Sequence, residues 1–176
     1  MGLAALAETM ERQGQDAIGA HQANEILLRN AAGQKTGALA SAKRMGLLLE
    51  TPDAGVRFPH RALQRYLAAL ALRDHLTEPQ EIALARENPA LWEMYVSLNP
   101  EPQQAIVRLL QSGNVSLAPL AARAFFQNLP PDRLGKAVRN LKDAGLPADV
   151  LRNLGAALMA AGESEPGVYL LQALMP

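Results

Sequence analysis

Apolar residues recur at helical spacing along most of this chain, and the breaks between apolar stretches are built from Pro, Gly and Asn. Residues 3–11 and 15–31 predict helices. In the second, Ile18, Ala20, Ile26 and Leu27 with Ala17 and Ala23 form an apolar stripe, and Gly33 takes the C′ position. A third helix over 36–45 sets Leu39, Ala42 and Met45 on one face and stops at Gly46. The pattern then changes. Residues 47–50 and 56–58 flank Thr51-Pro52-Asp53-Ala54-Gly55, which predicts a short β-hairpin: Pro presets φ and Gly accepts positive φ. Pro59 opens the next helix, where a missing N–H costs nothing. Leu63, Tyr66, Leu67 and Leu70 give that helix an amphipathic stripe at i, i+3, i+4 and i+7.

From Thr77 onward the pattern is one of short helical segments, about 79–86, 88–98, 101–112, 116–128, 131–143, 147–161 and 165–174. They are separated by Asn88-Pro89, Asn99-Pro100, Gly113-Asn114, Pro130-Pro131, Gly145-Leu146-Pro147 and residues 162–166. The later segments recur near every 15 residues, so two helices make a unit the size of a helical-hairpin repeat. The chain is therefore expected to be all-α with two domains. Residues 1–76 form a winged-helix-like part with a small two-stranded wing, in which 36–45 stands where a recognition helix would. Residues 77–176 form a short HEAT-like α-solenoid. The last segment is still apolar at Met175-Pro176, where a solenoid end needs a polar cap. The expectation is a cut end, or one that packs on something else.

Composition agrees with helices. Hydrophobic residues are 49% of the 176, largely Ala and Leu, while aromatics are 4%. Lys+Arg and Asp+Glu both number 17, so no net field draws the chain to nucleic acid or an anionic membrane. The densest basic stretch, 35–44, holds only Lys35, Lys43 and Arg44. With no cysteine, disulfides, thiolate metal sites and a Cys nucleophile are excluded together. No apolar run approaches the roughly 20 residues of a bilayer span. The N-terminus carries Glu8 and Glu11 rather than the basic start of a signal peptide. The expected location is cytoplasmic, without a membrane partner.

Little in the sequence points to catalysis. Lys35-Thr36 follows Gly33, but a P-loop needs glycines where Gln34 and Arg29 stand, so 32–37 reads as a loop between helices. His21, His60 and His75 lack metal-ligand spacing, and no metal site is expected. The serines at 41, 97, 112, 116 and 164 have no nucleophile-elbow context. Trp92 and Tyr95 sit three apart beside Leu91 and Leu98, a core pattern rather than a ligand cage, and of the adjacent Phe125 and Phe126 only one can point fully inward. His60 is the exception: it falls at a helix start directly after a strand, where free N–H groups and the helix dipole suit an anion.

Residues 56–74, Val-Arg-Phe-Pro-His-Arg-Ala-Leu-Gln-Arg-Tyr-Leu-Ala-Ala-Leu-Ala-Leu-Arg-Asp, resemble the end of the winged-helix domain in NACHT-type STAND NTPases. That family shows Phe-x-His, a hydrophobe, Gln-Glu-aromatic and an apolar-Ala-Ala run. Here Phe58, His60, Leu63, Gln64, Tyr66, Leu67, Ala68 and Ala69 match. Residues 43–49 are similar to the Gly-Leu-Leu and wing that precede the motif, and Asn88-Pro89-Ala90-Leu91-Trp92 looks like the Pro-x-Trp start of the repeats. The likeness spans roughly 36–98. It departs at Arg65, where the family carries an acid, and in lacking an upstream P-loop, an acidic Mg²⁺-binding strand and a nucleotide-binding sheet.

The resemblance implies that His60 contacts the β-phosphate of bound ADP and holds a closed, inactive state. ADP or ATP would enter only through a larger assembly with a companion NTPase domain, since this chain has no catalytic residues of its own. The expected function is the regulatory and sensor portion of a STAND signal-transduction ATPase, with a protein partner on its repeats. The alternatives are a free-standing helical-repeat interaction scaffold and, more weakly, a winged-helix DNA binder.

Overall fold

The computed structural model describes residues 2–30, 37–73, 75–128 and 146–160, apart from the side chains of 125, 126 and 158. The described residues are mostly helical, with one small sheet. They fall into two compact units, Met1–His75 and Leu76–Pro176.

The first unit runs α1 (Gly2–Arg12), β1 (Ile18–Gly19), α2 (Ala20–Arg29), α3 (Ala38–Arg44), β2 (Leu49–Glu50), β3 (Gly55–Arg57) and α4 (Arg61–Leu72). Its main helix pair is α1 against α4, with α2 packed on α1 and α3. The buried face of α1 is Leu6, Ala7, Met10 and Glu11. Complete burial of Leu6 and Met10 contributes about 1.5–3 kcal/mol each. On α4 the buried residues are Gln64, Ala68, Ala69 and Leu72. The stripe expected there, Leu63 to Leu70, is therefore not the buried face. Leu63, Leu67 and Leu70 are only half-buried, and Tyr66 is 41% exposed. Two adjacent alanines present a flat surface that lets a neighbouring helix approach closely, and the longer side chains flank that contact.

The sheet has three strands rather than two, in the order β1-β3-β2. β3 is central and pairs antiparallel on both sides, Ile18 with Val56 and Leu49 with Arg57. The helix expected over 15–31 thus starts only at Ala20. Gly14, at φ +65°, turns the chain out of α1, and Ile18 is buried as a strand residue beside β3. A β-branched residue followed by glycine starts a helix poorly and pairs well.

The turn between β2 and β3 also differs from expectation. The residue with positive φ is Ala54, at 55°. Gly55 is required instead by close approach. A Cβ there would lie 2.8 Å from Thr51 Oγ1 and 2.9 Å from the Ile18 carbonyl oxygen. The turn is fastened by reciprocal bonds: Gly55 N–H donates to Thr51 Oγ1 and Thr51 N–H to Gly55 O, each at 3.0 Å.

Gly46 ends α3 at φ +68°, as its composition suggests. Leu47 N–H reaches back to Ala42 O and Gly46 N–H to Lys43 O, both at 2.9 Å, the paired closure of a Schellman motif. Met45, expected on the inner face of this helix, is 66% exposed at its C-cap.

The second unit contains α5 (Glu78–Glu87), α6 (Pro89–Leu98), α7 (Pro102–Gln111), a 3₁₀ turn (Val115–Leu117), α8 (Ala118–Asn128) and α9 (Ala148–Ala160). Starts are written in the sequence. Thr77 caps α5, with Gln80 Oε1 accepting from its N–H and hydroxyl at 3.1 and 3.0 Å. Asn88 Oδ1 accepts from Leu91 N–H at the start of α6. Pro89 and Pro102 occupy the first helical positions of α6 and α7. Chain neighbours α5–α6 and α7–α8 pack together, and so do the alternate pairs α5–α7 and α6–α8, with α9 against α8. Leu91, Trp92, Ile106, Leu109 and Leu154 are almost completely enclosed in the core. The expected segments 131–143 and 165–174, the loop 32–36, Gly33, and the side chains of Phe125 and Phe126 lie outside the described residues. Among the described residues no helix is long and apolar enough to cross a membrane.

Candidate functional site at the head of α4

His60 is the N-cap of α4. Its backbone is extended (φ −137°, ψ 138°), so the helix begins at Arg61, two residues later than the expected opening at Pro59. Leu63 and Gln64 N–H groups return to His60 O at 3.1 and 3.2 Å. The imidazole is exposed and makes no capping hydrogen bond. It stands three residues after β3, at the positive end of a 12-residue helix. His21 and His75 are exposed as well, far along the chain from this helix mouth.

The head of α4 is held by a buried polar network. Gln64, 2% exposed, donates from Nε2 to Glu11 Oε1 at 2.8 Å and to Gln15 O at 3.1 Å. Arg61 Nε lies 3.0 Å from the same Glu11 oxygen, close enough for charge pairing though not aligned as a hydrogen bond. Arg61 Nη1 also pairs with Asp16 on the loop that follows α1. One helix turn thereby grips both α1 and the loop leading to β1. The carboxylate of Glu11 is enclosed and has its charge matched by a guanidinium, the condition under which a buried charge is tolerated.

Beside this network lies a cleft of about 460 Å³, within the range of small-ligand sites. Asp16, Arg57, Arg61 and Arg65 supply its charges, and Phe58 and Pro59 its apolar wall. Arg61 is held between two carboxylates. Among the described residues, Arg57 and Arg65 have no ion-pair partner, and Arg65 Nε is buried without an acceptor. Sequence reading singled out His60, with Gln64 only a matching position of the family resemblance, and missed Glu11 and the arginines. Arg61 and Arg65 did carry a signal: four apart on one helix, they share a face. Glu11 had none, because an acid in the last turn of a surface helix looks solvated.

The second unit holds a polar cluster of its own. Glu81 of α5 is 3% exposed, and Arg108 of α7 donates to its Oε2 from Nε and Nη2 at 3.1 and 2.9 Å. Oε1 has no partner. Burial raises the Glu81 carboxyl above its usual range, with Arg108 opposing. The Tyr95 hydroxyl is raised chiefly by burial and next by the charge of Glu81, with Arg108 and Asn99 opposing. Trp92 and Tyr95 are core residues as expected, and the indole N–H of Trp92 is buried without an acceptor. Arg123 of α8 reaches Glu93 of α6 at 2.9 Å. Each ion pair therefore ties alternate helices, across 27 and 30 residues of sequence. Among the described residues no group of His, Cys, Asp or Glu is arranged to hold a metal ion.

Comparison of the chain with protein-family models, curated proteins and solved structures gives no match.

Proposed function

We propose that this chain is the regulatory part of a STAND-type signalling ATPase, a winged helix followed by HEAT-like repeats. The observation that carries the reading is His60: an exposed imidazole on the N-cap of a long helix, directly after the central strand of a three-stranded sheet. The order α-β-α-α-β-β-α with sheet order β1-β3-β2 is what a winged helix would require, and supports that half of the reading. Packing of α5 on α7 and α6 on α8 supports stacked helical hairpins in the other half.

The residues present fit a phosphate contact. No side-chain cap from His60 competes for the first N–H groups of α4, the groups at a helix start that suit an anion. ADP would supply the negative charge, and a companion P-loop domain most of the affinity. The chain then acts as a bistable element: closed when His60 meets the nucleotide, open when a partner on the repeats favours the other state. His60→Ala in the intact assembly should raise basal signalling. Equal basal output in mutant and wild type would overturn the reading.

The stacked helices also favour a second reading, a free-standing scaffold for a protein partner. Recovery of a partner whose binding ignores ADP and ATP would select it. DNA binding has less support. Lys43, one of the few cations near α3, is held by Glu50 at 2.6 Å, and the wing adds Asp53.

A further inference from the structure

We propose that the cleft at the head of α4 binds a phosphate-bearing anion through Arg57 and Arg65. The choice of a diphosphate as its ligand rests on the nucleotide-switch reading, but the residues are different ones. His60 does not line the cleft.

Three guanidiniums meet two carboxylates here. Arg61 neutralises the pair formed by Asp16 and Glu11 only in part, and its charge is committed to both of them. Gln64 is likewise engaged, by Glu11 and the Gln15 carbonyl. That leaves Arg57, exposed at the end of β3, and Arg65, half-buried one turn beyond Arg61. Arg65 is the telling residue. Its Nε is enclosed and, like that of Arg61, has no acceptor, but unlike Arg61 it has no carboxylate paired with it, and the residue lines an open cleft. A buried donor without a partner is unfavourable, and more so on a charged group. An anion in the cleft would give the Arg65 guanidinium the counter-charge that no carboxylate among the described residues supplies. Guanidinium is the group suited to the task, since it stays charged and presents a planar fork to phosphate oxygens. Arg57 supplies a second fork from the sheet side, and Phe58 and Pro59 close the wall behind with no acceptor side chain to compete. Asp16 is the opposing charge on the rim, with a side chain 78% exposed.

The test is calorimetric titration of inorganic pyrophosphate, and separately of orthophosphate, into the full chain at low salt. Pyrophosphate should bind saturably and more tightly than orthophosphate. Arg57→Gln and Arg65→Gln should each weaken it about tenfold, the scale of one charge-assisted contact. Asp16→Asn should tighten it, a change that loss of folding cannot imitate. No saturable binding by the wild type, or affinities indifferent to all three substitutions, would overturn the site. If the arginine variants bind as wild type while His60→Ala still raises basal output, the cleft fails and the switch stands. The reverse pattern removes the switch and keeps the cleft.

Discussion

Gln64 of α4 donates a 2.8 Å hydrogen bond to Glu11 of α1, and the two residues are 2% and 4% exposed. The bond spans 53 residues and lies inside the main helix contact of the first unit. A motif glutamine is thus tied to a carboxylate that sits almost at the start of the chain. The consequence is positional: α4 is fixed at its head, where His60 and the cleft arginines stand.

Gln64→Leu should destabilise the first unit by about 2–3 kcal/mol, because the bond removed is to a charged group and its partner stays buried. Urea unfolding measures this. Glu11→Gln and the double variant complete a cycle, and a coupling near zero would show that the bond adds nothing beyond packing.

Gly55→Ala should cost about 1–3 kcal/mol through overpacking. The new Cβ would meet the Ile18 carbonyl at 2.9 Å, and that backbone oxygen belongs to a paired strand and cannot simply rotate away. Thermal melting by circular dichroism reads the loss. Ala54→Gly, at the position with φ 55°, should instead leave the unit as stable or slightly more so, since glycine relieves the left-handed strain.

These two sites show what sequence could and could not convey. The hairpin was visible because Pro52-Asp53-Ala54-Gly55 is turn chemistry, and α5 to α8 were visible because Asn and Pro mark their starts. The third strand was not. Ile18-Gly19 is two residues long, and its strand character comes from pairing with Val56 and Gly55, 36 or more positions away. The buried face of α4 was misplaced for a related reason. Hydrophobicity favoured Leu63, Tyr66, Leu67 and Leu70, but close approach to α1 selected Ala68 and Ala69. Position His60 at a helix mouth needed only local pattern, whereas Glu11 beneath it needed the tertiary fold.

Arg108→Met should destabilise the second unit by about 3 kcal/mol, since it strands a buried carboxylate. Glu81 has no other cation within ion-pair distance among the described residues. Glu81→Gln in the Arg108→Met background should recover much of the loss, because a neutral amide needs no counter-charge. Guanidinium chloride midpoints of the two single variants and the double variant provide the check. A double variant as unstable as Arg108→Met would mean that Arg108 acts through packing of its stem.

The same carboxylate sets a pH dependence. Burial first, with the neighbouring Glu78 adding to it, raises Glu81 above its ordinary 4.5, and Arg108 only partly offsets this. A raised acid binds its proton more readily in the folded chain than in the unfolded one. Its contribution to stability is therefore fully present below about 4.5 and is lost as pH rises through the folded value. Compared with wild type, Glu81→Gln should gain relative stability steadily as pH climbs from acid toward neutrality. Urea midpoints of both proteins across that interval give the measurement. A difference that stays constant with pH would mean that Arg108 fully compensates burial, and that the carboxylate is as comfortable inside the helix stack as in water.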